Sequence, residues 1–276
     1  MSRILYLSMS NEKYSTNYFP FLRRYAADVA RPDTRLELRG TRVGRIDSYR
    51  FWETLDTISI LDSVVGAEPE GFDAVAIGNI LDPGLRDARS MVDIPVLGLG
   101  ESCMLAACMM GSRFSLVGVN PYFGGRFEEN VARYGLKERL AGIAFMSLTP
   151  HELDACFSDE SARGRAVEAF FGAARSTLDA GSEVVIPAGG RLTAFLNAQG
   201  IREVDGAPVL DGTATLVAMA EAAVRVRAAA GTIVSRRGLY ARAPEAVIRG
   251  VAAEYAESYH LPALLDLAGP DTPAED

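Results

Sequence analysis

The stretch that most constrains the fold is 71–125, in which three short apolar runs follow one another closely. The runs are Asp73–Ile77, Val96–Leu99 and Phe114–Val119. Helix-like stretches, Pro83–Met91 and Cys103–Gly111, lie between them. Buried apolar runs separated by helices are typical of βαβ units, so the pattern predicts an α/β fold with parallel sheets. Such sheets bind ligands beyond the carboxyl ends of their strands, which makes the polar strand ends the first candidates for a functional site.

Composition and charge exclude several classes of protein. The 276 residues carry a formal charge of −8, which argues against a nucleic-acid partner and against an anionic membrane surface. Three cysteines without metal-ligand spacing argue against a disulfide framework and a structural zinc site, and no metal is expected. No run of about 18 apolar residues occurs, so we expect no membrane span and a cytoplasmic protein with reduced thiols.

A polar turn follows the first apolar run of the chain. Ser8, Ser10 and Asn11 come directly after Arg3–Leu7, which is predicted to be the first strand. Such a turn can aim hydroxyls and backbone N–H groups at an anion. A capped loop that leads into the next helix explains the same residues, because Ser and Asn are common helix caps. The sequence leaves both interpretations open.

Three polar residues flank the helices of the central stretch. Asp82 precedes Pro83 and is predicted to be the N-cap of the helix that follows, a structural role. Glu101 precedes the predicted helix that starts at Cys103, and it is interpreted either as a base or ligand anchor or as a helix cap. Cys103 would lie in the first turn, where the helix N-terminus favours a thiolate.

The apolar run Glu183–Ile186 ends in Ala188, Gly189 and Gly190. Two glycines permit a close backbone approach to a ligand and expose N–H groups. A strand-to-helix turn also requires glycine, so this segment is either a ligand cradle or a plain connection.

The central stretch reads GFDAVAIGNILDPGLRDARSMVDIPVLGLGESCMLAACMMGSRFSLVG, and EVVIPAGGR, APVLDGTATLVAMAEAAV and SRRGLYARAP follow in order. In these segments the chain resembles the hydantoin and allantoin racemase branch of the Asp/Glu racemase superfamily, from about Gly71 to about Pro244. The resemblance implies two similar Rossmann-like lobes with parallel sheets and a substrate cleft between them. The first lobe would be 1–101 plus 211–276, and the second 102–210. The resemblance also implies no cofactor, a small-molecule acid or ureide as substrate, and a homo-oligomer.

The resemblance further implies a two-base mechanism in which two cysteines flank the substrate's acidic carbon. One cysteine follows the strand before the DPG motif, and the other follows the strand before an AGM-like turn. Asn79 and Ala188 occupy these two slots here. Asparagine has no useful basicity and alanine has no functional group, so racemisation by two thiols cannot operate as such. The three cysteines present match neither slot; they are Cys103, Cys108 and Cys156.

The cleft of such a fold is expected to be lined by the residues at the strand ends. These are Ser8, Ser10, Asn11, Asn79, Glu101, Asn120, Tyr122, Ala188, Gly189 and Gly190. Asn79, the serine hydroxyls and the backbone of the two glycines would stabilise an oxyanion. Glu101 and Tyr122 are the candidates for acid–base work, with Cys103 as a third.

We therefore expect an enzyme acting on a small carboxylate, ureide, cyclic amide or lactone by hydrolase or lyase chemistry. Two alternatives stay open. One is a racemase-like isomerase with a non-thiol base, and the other is a binding protein that has lost catalysis.

Overall fold

Strands and helices alternate along the chain in the computed structural model, which describes residues 1–44, 49–232, 234–263 and 266. The strands are β1 (Ser2–Ser8), β2 (Thr34–Gly40), β3 (Ala74–Ile77), β4 (Val96–Gly98), β5 (Phe114–Gly118), β6 (Leu140–Phe145), β7 (Val184–Ala188), β8 (Glu203–Val204) and β9 (Ala207–Pro208). The helices are α1 (Tyr18–Val29), α2 (Arg50–Ala67), α3 (Leu85–Met91), α4 (Leu99–Met110), α5 (Gly124–Arg133), α6 (Pro150–Ala155), α7 (Glu160–Asp179), α8 (Gly190–Ala198), α9 (Gly212–Ala230) and α10 (Glu245–Tyr259).

Seven of these strands form two parallel sheets, which confirms the predicted α/β fold. The first sheet has the order β2-β1-β3-β4 and the second has the order β6-β5-β7. All pairings within both sheets are parallel. The short strands β8 and β9 form a separate antiparallel pair. Each sheet therefore ends all its strands at one edge, and that edge can carry a site.

Both faces of the sheets are buried, as parallel sheets with helical crossovers require. Along β1 the side chains alternate: Ile4 and Tyr6 belong to one core cluster, and Leu5 and Leu7 belong to another. The cluster that holds Tyr6 also contains Leu116 of the second sheet. Side chains along a strand alternate between its faces, so Ile4 and Tyr6 lie on the same face of β1. That face packs in one core with residues of the second sheet, and this core joins the two sheets.

Asp82 caps a different helix from the one expected. Its two carboxylate oxygens accept hydrogen bonds from the N–H groups of Gly100 (2.8 Å) and Glu101 (2.7 Å), which lie in the first turn of α4. The helix after Asp82, α3, instead has Gly84 as its N-cap, with a φ of +66°. The prediction that Asp82 caps the helix that follows it is wrong. Asp82 still has a structural role, because it caps α4, the helix that follows the neighbouring strand β4.

The division into lobes at 101/102 and 210/211 stays a prediction. The first of these boundaries falls inside α4, which runs unbroken from Leu99 to Met110. α9 packs against β1, β3 and β4, which supports placing the segment after 211 with the first sheet. Residues 264–265 and 267–276 of the expected first lobe lie outside the described residues.

Within the part of the chain that the structure describes, no helix combines the length and apolar character that crossing a bilayer requires.

Candidate functional site

A cavity of about 560 Å³ lies at the carboxyl ends of β1 and β3 of the first sheet and of β5 and β7 of the second. Most of the residues predicted at the strand ends line it: Ser8, Ser10, Asn79, Asn120, Tyr122, Ala188, Gly189 and Gly190. The cavity has this lining because both sheets turn the ends of their central strands toward it. Asn11, Glu101 and Cys103 are not among its lining residues.

Two asparagines, one from each sheet, present amide groups to the cavity. The Oδ1 of Asn79 accepts the N–H of Leu81 (2.8 Å), and the Oδ1 of Asn120 accepts the N–H of Tyr122 (3.1 Å). These turns fix the direction of each side-chain amide. No group among the described residues accepts a hydrogen bond from either Nδ2. Both amides can therefore donate to a ligand in the cavity.

The N-terminus of α8 also opens onto the cavity. β7 runs into α8 through Gly189, which is the N-cap and offers no capping side chain. Gly190, Arg191 and Leu192 line the cavity from the first turn, where backbone N–H groups have no acceptor within the helix. α4, by contrast, has its first turn capped by Asp82. The open helix end is a place for negative charge.

Arg191 is the charged side chain of this wall. Its Nη2 donates to the Oγ atoms of Ser10 (3.0 Å) and Ser15 (2.7 Å). Its guanidinium carbon lies 5.5 Å from the centre of the Tyr18 ring. A cation in the first turn of a helix is opposed by the helix dipole. A bound anion would relieve that repulsion, so the arrangement indicates an anion-binding wall.

Tyr18 is a buried phenol on the same wall. Burial raises the pKa of Tyr18 to about 12, against the lowering effects of a hydrogen bond with Ser8 and of the Arg191 charge. The hydroxyl is therefore protonated at neutral pH and can donate a proton or a hydrogen bond. A Cβ at Gly190 would lie 3.1 Å from this hydroxyl and 2.8 Å from the carbonyl oxygen of Gly78. The glycine thus permits a close approach of α8 to the end of β3, rather than to a ligand alone.

Sequence reasoning missed three side chains of this wall, Arg191, Tyr18 and Ser15. Arg191 follows the two glycines directly, and an arginine in the first turn of an uncapped helix was a usable signal. Tyr18 and Ser15 carry no such signal, because α1 and the turn before it reach the cavity only through tertiary packing.

Glu101 does not line the cavity, contrary to expectation. Its carboxylate forms a two-point ion pair with Arg89 of α3: Nη1 donates to Oε1 at 3.0 Å and Nη2 donates to Oε2. Because α4 begins at Leu99 and not at Cys103, the phase of the helix directs Glu101 toward α3. Its proposed role as a base in the cleft is corrected to that of an ion-pair partner.

The side-chain amide of Asn11 is hydrogen-bonded to backbone groups outside the cavity. Its Nδ2 donates to the carbonyl oxygens of Thr41 (2.7 Å) and Arg42 (3.0 Å), and its Oδ1 accepts the N–H of Lys13 (2.8 Å). Of the two interpretations of this turn, the capped loop holds for Asn11. The serines before it do line the cavity.

Cys103 is a core residue. Its side chain is 1% exposed and belongs to the cluster that joins the sheets. Burial raises the pKa of the Cys103 thiol well above its usual value, and the nearby Asp82 and Asp211 carboxyl groups act in the same direction. The expected first-turn thiolate is wrong because α4 begins four residues earlier and the sulfur has no access to water.

Cys103 is accordingly expected to resist alkylation in the folded protein. With iodoacetamide at neutral pH, its labelling should be at least about 100-fold slower than that of a free thiol, since only an exposed thiolate reacts. Mass spectrometry of tryptic peptides measures it, and protein unfolded in urea is the control in which Cys103 labels fully. Rapid labelling of folded protein would contradict the buried assignment.

Residues 15–220 match the sequence model of the Asp/Glu/Hydantoin racemase family. A hydantoin racemase from Pseudomonas sp. is 36% identical over 120 residues, which are 43% of this chain and 48% of that protein. The matched stretch thus spans about half of the relative's length.

Solved structures agree with the fold. An allantoin racemase from Klebsiella pneumoniae is 26% identical, with a TM-score of 0.75 over 88% of this chain and 94% of the other. An allantoin racemase from Pseudomonas fluorescens is 24% identical, with a TM-score of 0.74 over 87% and 97%. The second likeness shows the shared fold alone.

Proposed function

Because the chain belongs to the Asp/Glu/hydantoin racemase family, we propose that it is a cofactor-independent enzyme acting on a small carboxylate, ureide or cyclic amide in this cavity. The observation that carries the proposal is the convergence of an arginine, an open helix N-terminus and two side-chain amides on one cavity. Such a set of donors binds a molecule with an anionic group and a carbonyl group.

The proposed division of labour follows from charge. Arg191 and the first turn of α8 bind the more negative end of the ligand. Asn79 and Asn120 donate to a carbonyl oxygen. When a proton leaves the carbon beside that carbonyl, negative charge moves onto the oxygen, and donors already in place stabilise it. This is the chemistry of an isomerase that works through an enolate.

Tyrosines take the place of thiols in this proposal. The cavity wall, within the described residues, carries no carboxylate, imidazole or thiol. Tyr18 is protonated and serves as a proton donor. Tyr122, which is 65% exposed at the rim, is the proposed proton acceptor.

The test uses enantiopure allantoin and a 5-substituted hydantoin in D₂O. We expect the optical activity to be lost and deuterium to be incorporated at the acidic carbon. Circular dichroism measures the first change, and proton NMR measures the second. The Tyr122→Phe variant should lower the rate at least about 100-fold. Binding measured by calorimetry with no exchange in the wild-type protein would contradict catalysis and favour a binding protein.

A lyase reaction is the second candidate, and the lining without a strong base favours it. Decarboxylation needs no base, because the departing CO₂ leaves its electron pair on the carbon. Oxyanion donors and one proton donor, such as Tyr18, then suffice. A monosubstituted malonate in the same NMR experiment distinguishes the two reactions: loss of the carboxyl carbon with one deuterium gained supports the lyase. Hydrolase chemistry, the homo-oligomer and the cytoplasmic location stay predictions.

A further inference from the structure

Contacts between α2 and α5, and between the residues before them, span one side of the cavity rim. Tyr49, directly before α2, and Tyr122, shortly before α5, both line the cavity. Their ring centres are 5.4 Å apart with an interplanar angle of 38°. α2 connects β2 to β3 of the first sheet, and α5 connects β5 to β6 of the second. The aromatic contact therefore bridges the two sheets at the rim.

Two ion pairs bridge the same helices in opposite senses. Glu53 of α2 pairs with Arg126 of α5. Arg50 of α2 pairs with Glu129 of α5 at 2.6 Å. Each helix thus supplies one acid and one base, so the two helices fit in one register and attract across the rim.

The first ion pair is buried and the second is not. The side chains of Arg126 and Glu53 are 9% and 14% exposed, whereas those of Arg50 and Glu129 are 64% and 51% exposed. Exposed pairs contribute little, but removing one partner of a buried pair leaves a charge without compensation. The pair between Glu53 and Arg126 therefore dominates the attraction.

Arg126 also contacts the turn that carries a proposed ligand donor. Its guanidinium carbon lies 4.8 Å from the centre of the Phe123 ring, and its Nη2 lies 3.5 Å from the carbonyl oxygen of Tyr122. This turn begins at Asn120, whose Oδ1 accepts the N–H of Tyr122. Movement of Arg126 would therefore be felt at Asn120.

We infer that these three contacts, Tyr49–Tyr122, Glu53–Arg126 and Arg50–Glu129, form a latch that opens to admit a ligand. The latch fixes the distance between the two sheets at the rim, and a molecule that fills the cavity passes between the two tyrosines. The inference concerns access to the cavity. It holds whatever reaction takes place there.

An introduced thiol at the cavity floor measures this access directly. Ala188 lines the cavity and is 4% exposed, so Ala188→Cys in a Cys108→Ser background reports how often reagent enters. In the Glu53→Gln variant we expect iodoacetamide to label position 188 at least about 10-fold faster than in the latch-intact protein, because the buried pair holds the closed state. The exchange of both charges, Glu53→Arg with Arg126→Glu, should restore a rate within about 3-fold of the intact latch.

A matched control is Arg175→Gln, which breaks an exposed ion pair with Asp205 away from the rim and should leave the rate unchanged. Cys103 and Cys156 serve as internal reporters, because both are buried and label quickly only when the structure around them opens. Equal labelling at position 188 in the Glu53→Gln and Arg175→Gln variants would overturn the latch. So would faster labelling that is accompanied by equal labelling of Cys103.

Discussion

Replacing Arg191 by methionine is expected to weaken the binding of a substituted malonate by about 100-fold or more, because a charge-assisted contact in a water-poor wall is lost. Methionine keeps much of the apolar stem while removing the fork of donors. A neutral hydantoin should lose much less, about 10-fold or below, since it has no full charge to pair. Calorimetry with both probes measures the difference between the two losses.

The control for this prediction is Arg175→Met, an arginine that pairs with Asp205 on the surface. Its binding constants should match those of the unaltered protein. Arg191→Lys should fall between, because it keeps the charge and loses the two-point geometry. Equal losses for the malonate and the hydantoin in Arg191→Met would show that Arg191 supports the wall rather than the anion.

Replacing Asp82 by alanine is expected to destabilise the fold by about 3–5 kcal/mol, since each buried donor left without an acceptor costs about 1–3 kcal/mol. Three donors lose their partner: the N–H groups of Gly100 (2.8 Å) and Glu101 (2.7 Å), and the hydroxyl of Tyr134 (2.5 Å). Urea unfolding followed by circular dichroism measures the loss. Asp33→Ala is the matched control, because that carboxylate is exposed and pairs only locally with Arg31.

The same carboxyl gives the stability a pH dependence of known sign. Burial raises the pKa of Asp82 to about 7, although its three donors act to lower it. The folded chain therefore holds a proton that the unfolded chain releases near pH 3.9. The part of the stability that comes from the proton bound to Asp82 is complete below about pH 4, falls as the pH rises, and is lost above about pH 7. Asp82→Asn should flatten this slope, and an unchanged slope would contradict the assignment.

The strand ends could be located from the sequence because they depend on a local pattern. Runs of buried residues such as Ala74–Ile77 mark the strands, and the residues after them must gather where parallel strands end. That pattern placed Asn79, Asn120 and Ala188 at strand ends, and the resemblance to the racemase branch supplied the cleft between two lobes in which they meet.

The failures have a common physical origin. Asp82 lies beyond the end of β3, and its side chain caps the start of α4. No sequence pattern around Glu101 indicates this cap. Because α4 begins at Leu99, Glu101 lies inside the first turn instead of before the helix, and the buried Cys103 lies beyond that turn. Arg191 and Tyr18 meet only through tertiary contacts.

The N-terminal ends of α4 and α8 differ, and only that of α8 lines the cavity. The first sheet neutralises its helix end internally with a carboxylate, and the second leaves its helix end for a guest. A guest with dissimilar termini is therefore held in one direction only. Two mirror-image guests of the same polarity therefore dock in the same direction and differ in the wall that their substituents meet.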